Sequence, residues 1–600
     1  MKFTKLTQIS EKSREILLRY PMVLVSALLA SVAMCAYAVT DIGATAPPFV
    51  FLRFTIVAAL GISLFFATHL LEQRLKIHYL SIFPAIFLVG FYFLLPDKQS
   101  EFTEVYAYVL IPVFLLSHLL VSFIGYIFKN KQSDFWYFNK SLFINAVLTA
   151  IFTAVMTCGM LLAVVAVDQL FDLHLNDNYY SCTLFSMLFF GSASIFLLFG
   201  AEGLEKLESD REYPQVLKFF VQYILIPLLL LYAVILFAYV CRILLRWELP
   251  RGWVSYLVMI YCTVGIFATL LVHPLRGRSE KSWVNLFSKI FFYTVLPLLV
   301  LLYVAIFTRI LEYGYTEPRY FLLASAVWVT VVTVYNLAWK DANSKFVPIS
   351  LFCIGIFALA TPLLNAFAVA KRSQLHQLEI IIKTEKVLNG SKINFKKTIS
   401  GRTANDIADK YAFLSMRGKA DQLRKYLDPE TQKLFDKKIE AGDYYGVNPL
   451  IRDRFVNTIN PEEPNKIDSR YTTFRSTTVE TDISSYDYLF KVYHARPNTF
   501  AFAGNTMELK LAEFESETPL ELTFNGKNVD VKNDFKRLFQ PSIKGAEVQL
   551  DIMEVVKIVD NYELRIMLGS VLRRNDGASR YSFLVNEEPV IILVRKLQNR

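Results

Sequence analysis

One apolar stretch divides this sequence: 347-VPISLFCIGIFALATPLLNAFAVA-370, followed by the polar residues 371-KRSQ-374. An apolar run of about 20 residues is long enough to cross the hydrocarbon core of a bilayer as a helix. Apolar runs of similar length recur before this stretch, whereas polar and apolar residues are mixed after it. The sequence therefore predicts a membrane region followed by a water-soluble region.

The distribution of charge supports this division. Residues 371–600 contain 37 Lys and Arg and 32 Asp and Glu, whereas the longer segment 1–370 contains 26 and 21. The first density is typical of soluble proteins, and the second is typical of a chain that mostly avoids water. The net charge of +10 includes no dense run of Lys and Arg, which argues against a nucleic-acid partner. All six cysteines precede residue 371, so disulfides cannot hold the soluble region together.

The predicted fold class is an all-α membrane bundle of about eleven transmembrane helices, followed by a soluble α+β domain with an antiparallel sheet. The predicted domains are a basic N-terminal segment at 1–20, the bundle at 21–370, a helical stalk and subdomain at 371–464, and a β-rich domain at 465–600. The predicted spans are Pro21–Val39, Phe54–Leu71, Tyr79–Leu95, Val105–Phe128, Ser141–Val167, Tyr180–Gly200, Phe219–Val240, Trp253–Val272, Ile290–Phe307, Tyr320–Trp339 and Val347–Ala370.

Lys and Arg near the span ends predict the orientation. With the N-terminus in the cytoplasm, the inner segments hold 19 Lys and Arg and the outer segments hold 7, as the positive-inside rule requires. An odd number of spans then places the soluble region outside the cytoplasm. Three of the seven exceptions, Arg242, Arg246 and Arg251, share one loop. A miscounted span at that loop would move the soluble region to the cytoplasmic side.

Local signals predict helices and then strands in the soluble region. Thr403 with Asp406 resembles a capping box, and Asp428-Pro429 places a good N-cap residue before a proline at the first helical position. Further on, apolar and polar residues alternate from Leu520 to Phe524 and are followed by Asn525-Gly526, a strong hairpin signal. Asp576-Gly577 predicts another turn. These patterns favour a helical subdomain followed by an antiparallel sheet.

An acidic loop between the fifth and sixth predicted spans is the first candidate site. Asp168, Asp172, His174 and Asp177 lie within ten residues that contain no Lys or Arg. Carboxylate oxygens with an imidazole nitrogen can hold a divalent cation, and Asp168 and Asp172 lie one helical turn apart as an acid–base pair would. The alternative interpretation is a solvated acidic loop that keeps positive charge outside.

Arg242, Arg246 and Arg251 form the second candidate site. The first two lie one helical turn apart, and Trp247 and Trp253 lie close to all three. Guanidinium groups in this arrangement suit the phosphate of an anionic lipid headgroup. The alternative is that they are interfacial anchors at the end of a span. The sequence contains no phosphate-binding glycine loop, Cys/His metal motif or dinucleotide fingerprint, so no cofactor and no catalytic residue is predicted.

The order of parts resembles an uncharacterised bacterial membrane family known as domain of unknown function 4153. The quoted residues that carry this resemblance are Arg372-Ser373-Gln374 at the exit from the last span and Phe524-Asn525-Gly526-Lys527 at a turn. The resemblance implies a multi-pass protein of the bacterial inner membrane without an assigned activity. It assigns no functional residues.

Three functional hypotheses remain open. The first is a non-enzymatic membrane protein whose bundle anchors an external domain that binds an envelope protein, with the lipid bilayer as its other partner. The second is a transporter or lipid-handling protein that uses the bundle itself. The third is a membrane glycosyltransferase, which is disfavoured because the first external loop, Thr40 to Pro48, contains only Asp41 as an acidic residue.

Overall fold

The computed structural model describes residues 4–40, 49–128, 132–200, 212–246, 254–275, 282–339, 342–455, 458–459, 471–476, 481–493, 498–511, 518–539, 547–575, 581–587 and 589–597. The chain forms two compact units, Met1–Ile459 and Asn460–Arg600.

The first unit is mainly helical. Its helices are α1 (Thr4–Arg19), α2 (Pro21–Val39), α3 (Phe49–Leu75), α4 (Ile82–Leu94), α5 (Glu104–Tyr126), α6 (Gln132–Phe171), α7 (Asp177–Phe199), α8 (Gln215–Arg246), α9 (Val254–Leu271), α10 (Ser282–Tyr313), α11 (Glu317–Ala338), α12 (Phe346–Ala360), α13 (Ala366–Thr384), α14 (Gly401–Ser415), α15 (Ala420–Arg424), α16 (Pro429–Glu440) and α17 (Val447–Arg452).

Within the described residues, nine helices are long and apolar enough to cross a membrane, namely α2, α3 and α5 to α11. Two further apolar helices are shorter, α4 with 13 residues and α12 with 15 residues. These helices indicate a membrane-embedded protein, in agreement with the prediction. The predicted count of eleven spans is not confirmed, because length alone does not qualify α4 and α12.

The prediction of one continuous span at Val347–Ala370 is wrong. The helix α12 ends at Ala360, and α13 begins at Ala366. Pro362 provides no backbone N–H, and Leu363 has a φ of +65°, which a right-handed helix cannot accommodate. The side chain of Asn365 then accepts a hydrogen bond from the Ala368 N–H at 2.8 Å and starts the new helix. The apolar composition of this stretch concealed a break that only these local groups create.

Polar contacts that involve the ends of helices and the loops beside them mark two ends of the helical bundle. At the end here called the exit end, Arg53 pairs with Asp97, and the Tyr320 hydroxyl donates to the Leu364 carbonyl at 2.5 Å. At the opposite end, three contacts join successive loops. They are Arg74 Nε to the Gly125 carbonyl at 2.9 Å, Lys345 Nζ to the Tyr126 carbonyl at 3.4 Å, and Gln132 with His273 at 2.8 Å.

The helices α14 to α17 form a helical subdomain within the first unit. It is joined by two short strand pairs, antiparallel β1 (Leu388–Asn389) with β2 (Lys392–Ile393) and parallel β3 (Ile399–Ser400) with β4 (Thr458–Ile459). Its core contains Leu378, Tyr411, Phe435 and other apolar side chains that are almost fully buried. Apolar burial of this kind provides most of the stability of short helices.

Two predicted helix starts can be compared with the structure. Asp428 caps α16 as predicted, because its carboxylate accepts from the Glu430 and Thr431 N–H groups at 3.0 Å each. The start of α14 differs, since Ser400 and not Thr403 is the N-cap residue. Its hydroxyl accepts from the Thr403 N–H at 3.0 Å. The capping box was therefore predicted three residues too late.

In the part of the second unit that the structure describes, there are three four-stranded sheets and one helix, α18 (Lys532–Leu538). The sheet orders are β10-β9-β8-β7, β11-β5-β14-β15 and β12-β13-β16-β6. Neighbouring strands are antiparallel except for β11 and β5, which are parallel. The strands are β5 (Tyr471–Ser476), β6 (Tyr488–Val492), β7 (Thr499–Phe502), β8 (Asn505–Leu511), β9 (Leu520–Phe524), β10 (Lys527–Val529), β11 (Glu547–Leu550), β12 (Glu554–Val559), β13 (Tyr562–Met567), β14 (Ser570–Asn575), β15 (Tyr581–Glu587) and β16 (Val590–Lys596).

The predicted Asn525-Gly526 hairpin is confirmed between β9 and β10. Both residues have positive φ, +48° and +75°, as a tight hairpin turn requires. The Asn525 side chain also accepts from the Thr506 N–H at 2.8 Å, which connects the turn to β8. Alternation places Leu520, Leu522 and Phe524 in the core of the unit, as predicted. The predicted Asp576-Gly577 turn lies outside the described residues.

Replacement of the Asp428 cap is expected to loosen α16. Burial raises the pKa of Asp428, but hydrogen bonds from Thr431 and Glu430 outweigh it, so that its pKa lies below the ordinary value. We expect Asp428→Ala to reduce the stability of α16 by about 1 kcal/mol. Amide hydrogen exchange across Pro429–Glu440, measured by mass spectrometry at neutral pH, should accelerate about fivefold.

The pH dependence of this effect has a defined sign. Because the pKa is lowered in the folded state, the stabilisation is present above the unfolded pKa and is lost as the pH falls through the folded pKa. The difference between wild type and Asp428→Ala should therefore shrink below roughly pH 4. Lys433→Ala is the control, since Lys433 is exposed on the same helix. If Pro429–Glu440 exchanged at the same rate in Asp428→Ala and in Lys433→Ala, the assigned role of Asp428 would be contradicted.

Candidate functional site: the membrane-exit junction

The residues that follow the apolar stretch hold the loop between α10 and α11. The Ser373 hydroxyl accepts from the Tyr315 N–H at 2.8 Å, and Gln374 Nε2 donates to the Tyr313 and Tyr315 carbonyls at 2.9 Å each. Gln374 is buried, so its amide replaces water that these backbone groups cannot reach. This short polar segment therefore fastens α13 to the loop between α10 and α11.

Gly314 lies at the centre of this contact. Its φ is +75°, a conformation that residues with a side chain rarely adopt. A Cβ atom at this position would come within 2.9 Å of Ser373 Oγ and 3.1 Å of Gln374 Nε2. The loop can approach α13 this closely because residue 314 has no side chain.

Arg372 acts on the break between α12 and α13. Its guanidinium donates to the Leu363 carbonyl and, at 3.4 Å, to the Ala368 carbonyl. Together with the Asn365 cap, this satisfies backbone groups that the interruption of the helix releases. Such groups are costly to leave unpaired near a membrane. Arg372, Ser373 and Gln374, which supported the family resemblance, thus each have a separate structural task.

A buried ion pair joins α11 to the helical subdomain. Glu317, 0% exposed, lies in the first turn of α11, and Arg417, whose side chain is 2% exposed, follows α14. Arg417 Nε donates to Glu317 Oε1 at 2.7 Å and its Nη2 donates to Oε2 at 2.9 Å. Two parallel hydrogen bonds of this kind give strong and directional pairing. This interaction docks the helical subdomain on the exit end of the bundle.

The surroundings complete the coordination of Arg417. Its Nη1 donates to the Phe413 carbonyl at 2.9 Å, and its guanidinium lies 3.4 Å from the centroid of the Phe413 ring. Glu317 also benefits from its position, because a carboxylate at a helix N-terminus interacts favourably with the helix dipole. Both charges therefore have partners whose hydrogen bonds and attraction offset the desolvation cost of burial.

The electrostatics near Lys371 show why the carboxylate is needed. Burial lowers the pKa of Lys371, and the neighbouring Lys419 and Arg417 lower it further, whereas Glu317 raises it. Positive charge is therefore costly at this junction, and Glu317 offsets part of that cost.

The helical subdomain has a second contact with the bundle. A Cβ atom on Gly442, which follows α16, would come within 2.7 Å of the side chain of Ser100, which follows α4.

The predicted acidic site forms the connection between α6 and α7. Asp168 accepts from the Leu175 N–H at 2.7 Å and from the Tyr180 hydroxyl at 3.2 Å, which closes the helical hairpin. Asp172 and His174 are exposed, 3.7 Å apart, and both have positive φ. Asp177 begins α7. In the described part of the chain, no group of three or more His, Cys, Asp or Glu side chains is arranged to hold a metal ion.

The predicted arginine site is described only in part. Arg242 and Arg246 are exposed in the last turns of α8, whereas Arg251 lies outside the described residues. Sequence reasoning missed the Glu317–Arg417 pair, since 100 residues separate its members and no spacing connects them. The acidic residue in the first turn of a helix was the one available signal, and it named no partner.

The many long apolar helices, which are followed by a C-terminal region of β-sheets, place this chain in the class of membrane proteins. Residues 23–389 match the family described as "Domain of unknown function (DUF4153)", and the chain belongs to this family. This confirms the predicted resemblance. The matched region covers the bundle from α2 onward and ends in the first strands after α13.

The chain is also similar to an uncharacterised protein of Pasteurella multocida (strain Pm70), with 26% identity over 276 residues. The match covers 46% of each chain, so this chain spans about half the length of that relative. No solved structure matches. The comparisons thus support a membrane protein and name no activity.

Breaking the buried ion pair should detach the helical subdomain locally. Arg417→Met leaves the Glu317 carboxylate buried without its partner, which we expect to cost about 3–5 kcal/mol. Hydrogen exchange across α14 in the purified full-length protein should accelerate accordingly. The double variant Glu317→Leu/Arg417→Met should recover most of the loss, because it removes both charges together.

Arg452→Met is the matched control, since Arg452 forms an exposed pair with Asp453 at 2.7 Å. Exposed pairs contribute roughly 0–1 kcal/mol, so exchange in this variant should stay close to wild type. If Arg417→Met behaved like Arg452→Met, the ion pair would not be the docking interaction.

Proposed function

We propose that this chain is a non-enzymatic, multi-pass protein of the bacterial inner membrane whose helical bundle anchors a soluble C-terminal region for an envelope partner. The observation that carries the proposal is the buried Glu317–Arg417 pair. It ties the helical subdomain to the bundle with two charge-assisted hydrogen bonds. An attachment of this kind suits a protein whose bundle serves as the anchor for the residues that follow it.

The ends of the short helices support eleven crossings. The helix α4 begins near the opposite end, a few residues after Arg74, and ends next to Asp97 at the exit end. The helix α12 begins beside Lys345 at the opposite end and ends near Leu364 at the exit end. Both therefore run from one end of the bundle to the other. A short helix can cross a locally thinned bilayer at modest cost.

With eleven crossings, the N-terminus and the C-terminal region lie on opposite sides of the membrane. In the sequence, the segments predicted to lie inside hold 19 Lys and Arg, and the segments predicted to lie outside hold 7. The positive-inside rule favours the first set in the cytoplasm. The helical subdomain leaves from the exit end, which favours an external position for the C-terminal region.

Reporter fusions test this topology. Alkaline phosphatase fused after Arg600 should be active and green fluorescent protein fused there should be dark, because the first requires an external location and the second a cytoplasmic one. The same reporters fused after Ser344, at the opposite end, provide the control and should give the reverse result. Fluorescence from the Arg600 fusion would overturn the external placement.

A transporter or lipid-handling function is the second candidate, favoured by a large cavity within the bundle. A deletion and a pair of substitutions distinguish the anchoring function from the lipid-handling function. Under the anchoring function, deleting residues 460–600 should reproduce the phenotype of a null strain while the bundle still inserts. Alanine at Arg242 and Arg246 should be tolerated. The opposite pattern, a functional truncated bundle that is sensitive to these alanines, would favour lipid handling.

A further inference from the structure

Two of the six cysteines meet where α2 contacts α7. Cys35 lies in the last turns of α2, and Cys182 lies in the second turn of α7. The Cys35 sulfur lies 3.6 Å from the Cys182 carbonyl oxygen, and the Cys182 sulfur lies 3.9 Å from the Cys35 carbonyl oxygen. The other four cysteines belong to α6, α8, α9 and α12. The tertiary structure therefore brings together two thiols that are 147 positions apart in the chain.

A second pair of short side chains fixes the register of this contact. The Ser31 hydroxyl donates to the Ser186 hydroxyl oxygen at 3.3 Å, and the Cys35 sulfur lies 3.7 Å from the same Ser186 oxygen. Ser31 lies one turn before Cys35 on α2, and Ser186 lies one turn after Cys182 on α7. The two helices are therefore antiparallel here, and they touch through small side chains at two successive turns.

The orientation of both cysteines suits a covalent bond between the helices. A disulfide requires Cα atoms only about 4.4–6.8 Å apart and side chains that do not point away from each other. Here each sulfur reaches the backbone of the other residue, and the two thiol groups also interact directly. Rotation about one Cα–Cβ bond redirects a sulfur from the partner's carbonyl towards the partner's sulfur.

The pair lies close to the surface of the membrane. Cys35 is one helical turn, about 5.4 Å, from the end of α2 at Val39. Two residues before Cys182, the Tyr180 hydroxyl donates to the Asp168 carboxylate at 3.2 Å. A carboxylate is costly to place in hydrocarbon, so this level of the bundle is in reach of water. Both cysteines are also partly exposed.

The proposed topology determines which compartment this surface faces. The helix α2 ends at the exit end of the bundle, because the next helix, α3, begins there beside Arg53 and its partner Asp97. With eleven crossings, the exit end lies outside the cytoplasm. Bacterial compartments outside the cytoplasm favour disulfides, whereas the cytoplasm keeps thiols reduced.

We propose that Cys35 and Cys182 form a disulfide that fastens α2 to α7 at the exit end, and that an oxidised protein disulfide of the cell envelope supplies the oxidant. The inference rests on the external exit end of the proposed topology. It adds a covalent site that the anchoring function does not require.

The bond forms in two exchange steps. One cysteine releases its proton to water, and its thiolate attacks the oxidant's disulfide, which forms a mixed disulfide and releases the first thiolate of the oxidant. The second cysteine then loses its proton and attacks the mixed disulfide, which releases the second thiolate. The two cysteines are oxidised to a disulfide, and the disulfide of the oxidant is reduced to two thiols.

Counting free thiols in cells tests the proposal. Cells that produce the full-length protein are quenched with trichloroacetic acid, which protonates thiolates and stops exchange. The denatured protein is then labelled with a polyethylene glycol maleimide, which adds mass for each free thiol. Because two of the six cysteines are joined, we expect four labels per chain before reduction and six after it. Peptide mass spectrometry should find the peptides of Cys35 and Cys182 linked.

Two variants separate this pair from the other cysteines. Cys35→Ser leaves five cysteines and no disulfide, so five labels are expected before and after reduction. Cys241→Ser is the matched control, because Cys241 is exposed near the end of α8 and is not part of the pair. It should keep the disulfide and give three labels before reduction and five after. Six labels on the unreduced wild type would show that the proposal is wrong.

Oxidation of purified protein isolates the geometry from the topology. The full-length protein in vesicles of phosphatidylethanolamine and phosphatidylglycerol is treated with copper phenanthroline in air, which oxidises neighbouring thiols on either side of the membrane. We expect the Cys35–Cys182 link to form here too, and its absence would contradict the assigned contact. The reporter fusions measure sidedness without any cysteine. A reduced pair in cells beside an active phosphatase fusion would therefore refute the disulfide alone.

Discussion

Charge burial without a partner is among the most costly events in a folded protein, and the Glu317–Arg417 pair is where this chain meets that constraint. Glu317 is the first residue of α11, and Arg417 follows the first helix of the subdomain by two residues. Neither charge could be buried alone. The helical subdomain must therefore lie against the bundle for both groups to be satisfied, and the exit end is organised around this pairing.

The exit segment solves a related difficulty with uncharged groups. An apolar stretch that breaks within a membrane region exposes carbonyl and N–H groups that lipid cannot satisfy. Asn365 and Arg372 supply partners for those groups from the chain itself. The helix can consequently end at Ala360, and α13 carries the chain from Ala366 towards the subdomain.

Anchoring and lipid binding place different demands on the same bundle. Contacts at the exit end are polar, short and directional, which suits a rigid attachment. The wall of the cavity in the bundle is mainly apolar. These two features lie on different side chains.

Properties that depend on neighbouring residues were determined by the sequence alone. The division into an apolar and a charged region follows from local composition, because transfer of about 20 residues into lipid depends on their summed hydrophobicity. The Asn525-Gly526 hairpin and the Asp428 cap follow from the conformations and hydrogen bonds available to two adjacent residues. In contrast, the break after Ala360 and the partners of Arg372 to Gln374 were decided by the tertiary structure. The same is true of the pairing of Glu317 with Arg417, because a contact between residues 100 positions apart leaves no period or spacing in the chain.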